Sequence, residues 1–235
     1  MNEDLQVQEK ARSGVSVIIP VYRNEATLEE LAERLVQTLK PLAGHFELIF
    51  VNDASPDGSA AVLARLQARI PQLRLLNLSA NGGQQNAIRA GMHLANCEAV
   101  VVMDADLQDP PEAIADLYKT LQSGNSEAVF AQRTEHYQKL SRMLSSRFFK
   151  WLIRMMVGLP RGTGCFLVMS RRMVTEVLRF ETRRFYLPGL VAKTGLPICA
   201  IPLQRVQRAS GQSAYSSTMR LGVAISNIRC LLERK

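Results

Sequence analysis

The sequence predicts an α/β protein built on a Rossmann-like, mostly parallel sheet flanked by helices. Three observations carry this. Short apolar runs recur without alternating polar residues, as in strands covered on both faces. Segments with helical apolar spacing separate them at intervals that suit right-handed crossovers. Three of the runs end in acidic or small polar residues, where sheets of this kind bind ligands.

Residues 15–20 read as the first strand, and residues 46–52, 73–78 and 99–104 as the next three. Helical segments are expected near 25–40, 58–70, 84–96 and 111–123, the last with Pro111 and Glu112 in its first turn, where a fixed φ and a negative charge are favourable. A fifth strand is expected at 128–132. Beyond residue 133 the pattern changes. Residues 137–158 predict an amphipathic helix, with Tyr137, Leu140, Leu144, Phe148, Trp151 and Met155 on one face. Lys139, Arg142, Lys150 and Arg154 lie opposite, with Arg147 at the border. Further strands are expected at 165–170 and 198–206, and a terminal helix at 214–232. With no repeat and no low-complexity linker, the expected organisation is a tail (1–14), one domain (15–213) and a C-terminal helix (214–235).

Composition narrows the function. A chain of 235 residues, 47% hydrophobic and 21% charged, can build a substantial core and is not wholly disordered. It has no 18-residue apolar run, and its first residues carry Glu3, Asp4 and Glu9 instead of an apolar stretch. Neither a transmembrane helix nor a signal peptide is expected. Cys97, Cys165, Cys199 and Cys230 are far apart, with no CxxC pair, so reduced cysteines are expected, not a zinc site or disulfides. Residues 1–132 hold 10 Lys and Arg against 17 Asp and Glu, whereas residues 133–235 hold 19 against 4. The basic half calls for an anionic partner, and the acidic half argues against nucleic acid.

The strand ends carry the chemistry. The first runs into Pro20-Val21-Tyr22-Arg23-Asn24-Glu25, the second into Asn52-Asp53-Ala54-Ser55-Pro56-Asp57-Gly58, and the fourth into Asp104-Ala105-Asp106-Leu107-Gln108-Asp109. A dinucleotide fingerprint and a P-loop are both absent. Asp104 and Asp106, two apart at a strand end, can point the same way, and their like charges repel unless a cation sits between them. Hard oxygen ligands suit Mg²⁺ or Mn²⁺, ions that also bind substrate phosphates. An ordinary Asx-type turn is the alternative reading.

Taken together, V-I-I-P-V-Y-x-N-E, V-N-D-A-S-P-D-G, N-x-G-x-x-x-A-x-x-x-G at 81–91 and D-A-D-L-Q-D-P-P at 104–111 resemble the inverting family 2 glycosyltransferases. More narrowly, the sequence is similar to the dolichol- and polyprenyl-phosphate sugar transferases over residues 15–216. Gly164-Cys165-Phe166 and Arg208-x-x-Gly211-x-Ser213-x-Tyr215 extend the likeness. The resemblance implies a type A glycosyltransferase fold. It implies that Pro20, Tyr22, Glu25 and Asp53 hold the nucleoside of a UDP- or GDP-sugar. Asp104, Asp106 and Gln108 would hold the metal and diphosphate, and Arg208 and Ser213 would meet phosphate charge from a loop over the donor. Asp106, Arg133 and Arg208 are the implied catalytic residues. Gly83, Ala87 and Gly91 are expected to be packing positions. The chain departs from the family in carrying Arg23 ahead of Asn24-Glu25 and Gly162 where relatives place an aspartate.

The acceptor can be argued from charge. A sugar hydroxyl needs a carboxylate base within reach, yet no acidic residue lies between Glu135 and Glu176, and only Glu181 and Glu233 follow. A phosphate acceptor is already ionised and needs cationic positioning instead. Arg133, at the end of the predicted 128–132 strand, suits that need, and the resemblance places an acceptor-side arginine there. The 137–158 helix has the composition of one lying in an anionic membrane surface; a helix packed on its own domain with a solvated basic face is the alternative. The expectation is a glycosyltransferase on the cytoplasmic face of a membrane, peripheral to it, passing a sugar to a polyprenyl phosphate. The alternatives are a family 2 enzyme acting on a saccharide hydroxyl, and an inactive scaffold that binds donor or lipid.

Overall fold

A computed structural model describes residues 12–133, 159–160, 162–182 and 184–203. Its strands are β1 (Arg12–Val21), β2 (Phe46–Asn52), β3 (Leu73–Asn77), β4 (Cys97–Val102), β5 (Ala128–Arg133), β6 (Thr163–Ser170) and β7 (Ile198–Leu203). Its helices are α1 (Leu28–Leu39), α2 (Ser59–Arg69), α3 (Gln84–Leu94), α4 (Ile114–Gln122), α5 (Arg171–Leu178) and α6 (Leu187–Lys193). The strands form one sheet in the order β3-β2-β1-β4-β6-β5-β7. Only β6 runs against the others.

The unalternating runs are explained by two cores. Val15, Val17, Ile19 and Val21 of β1 face α1, α2 and α4, while Ile18 faces α3, α5 and α6. Successive side chains point to opposite faces, and both faces are covered, so nearly every β1 and β2 residue is buried. α1 fits by its spacing, with Leu28, Leu31, Ala32, Leu35 and Leu39 on its buried side.

The exception in these strands is polar. Ser16 pairs in register with Glu47 on the α3 side, and its hydroxyl donates to Glu47 Oε1 at 2.6 Å. Glu47 also accepts the Asn96 amide at 2.7 Å and the Arg74 guanidinium at 2.8 Å. Burial pushes the Glu47 carboxyl up, but the bonds from Ser16, Asn96 and Arg74 outweigh it and hold it below its ordinary value. This network ties β1, β2 and β3 to the turn before β4.

Several bounds differ by a few residues from the sequence expectation, and the expected helices at 25–40 and 111–123 open with 3-10 turns at Glu25–Thr27 and Pro111–Ala113; three further differences follow. β1 begins at Arg12, because the Arg12 amide already bonds to the Asn96 carbonyl. β4 ends at Val102, so Asp104 and Asp106 lie in a turn beyond the strand. α5 and α6 were not anticipated. α5 has a cap, the Ser170 hydroxyl accepting the Met173 amide at 3.1 Å. The expected 137–158 and 214–232 helices lie outside the described residues. Among the described residues no helix is long and apolar enough to cross a membrane.

Candidate active site

Parallel order brings the carboxyl ends of β1, β2, β3, β4, β5 and β7 to one edge of the sheet, and the reversal of β6 brings its beginning there. Val21, Asn52, Asn77, Val102, Arg133, Leu203 and Thr163 therefore share an edge. Pro20, Tyr22, Glu25, Asp53, Asp104, Asp106 and Gln108 fall on or just beyond it. Arg133 closes β5 opposite Leu203. Arg208 and Ser213 lie outside the described residues, as do Gly211 and Tyr215.

The first two loops are stapled to each other. The Arg23 amide donates to Ser55 Oγ at 2.8 Å, and the Glu25 amide to Asp57 Oδ2 at 3.2 Å. Glu25 Oε2 in turn accepts the Gly58 amide, at the start of α2, at 2.9 Å. Glu25 thus braces the second loop. Burial pushes the Asp57 carboxyl up, but hydrogen bonds from Ser55, Ser59 and Glu25 bring it below its ordinary value. Tyr22 stands 38% exposed at the edge, with the Arg23 guanidinium 5.5 Å from its ring centroid.

Asp53 is 2% exposed. Its two carboxylate oxygens accept the amides of Gly82 at 2.7 Å and Gly83 at 2.8 Å, at the amino end of α3, where partial positive charge favours an anion. The Asn81 side chain donates to the Asp53 carbonyl at 3.2 Å. Gly83 has φ 85 and ψ 156, a conformation that essentially only glycine adopts. The expectation that Gly83 is a packing residue is corrected: it turns an amide toward Asp53. Ala87 and Gly91 do pack. Ala87 is fully buried, and a Cβ on Gly91 would stand 2.4 Å from Ile18 Cγ2.

The Asp104–Asp106 turn is held from both sides. The Gln84 side-chain amide donates to Asp104 Oδ1, and the Gln108 amide donates to Asp106 Oδ1 at 3.2 Å. Among the described residues, the non-glycine residues with positive φ are Arg23 (58), Ala54 (49) and Leu107 (56). Each lies just past β1, β2 or β4. Backbone strain on the order of 1–3 kcal/mol apiece is thus concentrated at this edge.

The donor set of the turn is two carboxylates and an amide oxygen, all hard. Among the described residues no group of three His, Cys, Asp or Glu side chains could complete a metal site. A set this sparse fits Mg²⁺ or Mn²⁺, which hold several waters or phosphate oxygens besides one or two protein carboxylates.

On the other side of the edge, the Gln85 side chain donates to Cys165 Sγ at 3.2 Å and accepts the Leu187 amide at 2.9 Å. Gln84 and Gln85 were not singled out by the sequence, since both fall at unspecified positions of the 81–91 motif; Glu25 was singled out, but not its bond to the Gly58 amide.

The model of Glycosyl transferase family 2 matches residues 16–180. An uncharacterised glycosyltransferase, YkcC of Bacillus subtilis, is 32% identical over 216 residues, 91% of this chain and 67% of the relative. An undecaprenyl-phosphate 4-deoxy-4-formamido-L-arabinose transferase of Photorhabdus laumondii is 33% identical over 221 residues, 92% of this chain and 67% of the relative. The chain thus spans about two thirds of these curated relatives. A mannosyltransferase of Pyrobaculum calidifontis, solved in complex with GDP-Man and Mn²⁺, superimposes with a TM-score of 0.69 at 20% identity, over 95% of this chain and 66% of that one. Glucosyl-3-phosphoglycerate synthase of Mycobacterium tuberculosis gives 0.64 at 19% identity, over 93% and 80%. The sheet order, the acidic turn at its edge and these matches agree: the chain belongs to Glycosyl transferase family 2, a family of glycosyltransferases, and has the type A fold.

Proposed function

We propose that the protein transfers a sugar, with inversion, from a UDP- or GDP-sugar to a polyprenyl phosphate at the cytoplasmic face of a membrane. The observation that carries the acceptor is the lack of any Asp or Glu between Glu135 and Glu176 in a half that is strongly basic. A hydroxyl acceptor needs a carboxylate base within reach, and this span supplies none. The name of the Photorhabdus relative points the same way.

In this reading Pro20, Tyr22, Glu25 and Asp53 form the nucleoside end of the donor site. Asp104, Asp106 and Gln108 would hold Mg²⁺ or Mn²⁺, which would supply counter-charge for the departing diphosphate. Arg133 positions the acceptor phosphate, and Arg208 and Ser213 add phosphate contacts from the segment after β7. A phosphate oxygen attacks the anomeric carbon opposite the diphosphate. The new C–O bond forms as the bond to the nucleoside diphosphate breaks, and no proton has to be removed. That placement inverts the anomeric centre.

The test supplies UDP- and GDP-sugars with Mn²⁺ and either undecaprenyl phosphate or saccharide acceptors. Glycosylated lipid is expected, and Asp104→Asn or Asp106→Asn should lower its formation at least about 100-fold. Transfer to saccharides alone would replace this reading with the hydroxyl-acceptor enzyme. Donor binding with no transfer or hydrolysis would indicate a scaffold.

A further inference from the structure

One short segment touches three separate parts of the site. Asn81, Gly82 and Gly83 grip Asp53 on the β2 side, Gln84 grips Asp104 beyond β4, and Gln85 grips Cys165 on β6 and the start of α6. Consecutive residues thus reach three strands that are far apart in sequence. Gln84 is the member whose chemistry is most particular. An aspartate in a turn has a broad terminal torsion, and a side-chain N–H on one oxygen selects one carboxylate orientation. An amide does so without charge. A guanidinium or ammonium in its place would neutralise the carboxylate and compete with a cation for it.

We propose that Gln84 is a positioning residue for Asp104: its amide orients the carboxylate for a divalent cation and, being neutral, does not itself cancel the carboxylate charge. The inference rests on the assignment of Asp104 to the cation site. Partners that orient a metal ligand typically contribute 10- to 100-fold to metal affinity. Gln84 is anchored for the task. It is the first residue of α3, and the preceding Gly83 is fixed by its bond to Asp53. Gln85 provides an internal comparison, since it lies in the same turn but bonds to Cys165 and Leu187 instead of Asp104.

The experiment titrates the full chain with Mn²⁺ alone, following the paramagnetic resonance signal of the free ion. The proteins are wild type, Gln84→Met, Gln85→Met and Asp104→Asn. Gln84→Met keeps the length of the side chain and removes its donor. It should weaken Mn²⁺ binding at least tenfold, with Gln85→Met near wild type and Asp104→Asn showing no saturable binding. In sugar transfer, excess Mn²⁺ should restore kcat to Gln84→Met but not to Asp104→Asn. Circular dichroism checks folding, and Gln84→Ala replaces the methionine variant if that one does not fold. Wild-type Mn²⁺ affinity in Gln84→Met, with binding lost in Asp104→Asn, overturns this inference alone. Equal weakening in Gln85→Met also overturns it, because the effect would then belong to the segment's fold. Wild-type affinity in Asp104→Asn, or no binding by the wild type, overturns the cation assignment and this inference together.

Discussion

The hydroxyl of Thr27, just before α1, lies 2.6 Å from the carbonyl oxygen of Ala105, the residue between Asp104 and Asp106. A helix start on one strand crossover therefore holds the acidic turn of another, 78 residues away. The Asn24 carbonyl lies 3.0 Å from the same hydroxyl. Thr27→Val keeps the shape and removes the donor. It should lower stability by about 1 kcal/mol, read as a lower urea midpoint at unchanged slope. An unchanged midpoint would show that the contact contributes nothing.

Gly91→Ala puts a methyl group against Ile18 Cγ2 and within 3.2 Å of Val51 Cγ2. Alanine gains about 1 kcal/mol in helix propensity over glycine. Overpacking against two β-branched side chains in a covered sheet costs about 1–3 kcal/mol. The net expectation is destabilisation, relieved when Ile18→Ala is added. A variant more stable than wild type would show that α3 can move off the sheet.

Glu47 links stability to pH. Its folded-state carboxyl is held below the ordinary value of 4.5, so its contribution is fully present above that value and is lost as pH falls through the lower, folded-state value. Glu47→Gln should cost about 1–3 kcal/mol at neutral pH by weakening bonds to Ser16, Asn96 and Arg74. The gap from wild type should stay constant down to about pH 5 and close below it. Urea unfolding from pH 7 to pH 3 measures this, and a gap independent of pH would contradict the assignment.

The proposed membrane contact is tested through Arg142, Lys150 and Arg154. Reversing all three charges should release the protein from anionic vesicles and spare sugar-nucleotide binding. Each basic residue near such a surface contributes about 1 kcal/mol. Wild-type co-sedimentation should weaken as salt rises, because the Debye length is only about 8 Å at physiological ionic strength. Equal binding by the triple variant would assign these residues to ordinary packing.

β1, β2 and β4 were legible because both their faces are covered, and burial on two sides writes itself into the chain as nearly unbroken runs of Val, Ile, Leu and Phe. The acidic turn was legible because Asp104 and Asp106 are sequence neighbours. What holds them was not. Thr27 meets Ala105, and Gln84 meets Asp104, only after the sheet has folded, and neither residue type signals a remote partner. The bracing role of Glu25 was hidden for the same reason, since its partner Gly58 lies 33 residues on. α5 could have been found from Ser170 as a cap followed by buried Met173, Val174 and Val177. α6 offered less, because its run from Leu187 to Val191 is buried all round and has no amphipathic period.

The reversal of β6 also removes a topological constraint. Because β5 ends and β6 begins on the same edge, with Gln132 opposite Thr163, the chain leaves the sheet and returns to it on one side. The sheet itself therefore sets no minimum length for the connection between those two strands. A parallel return to the same sheet would require a crossover of a dozen or more residues, whereas the reversal of β6 lets the chain re-enter the sheet at the edge where β5 leaves it.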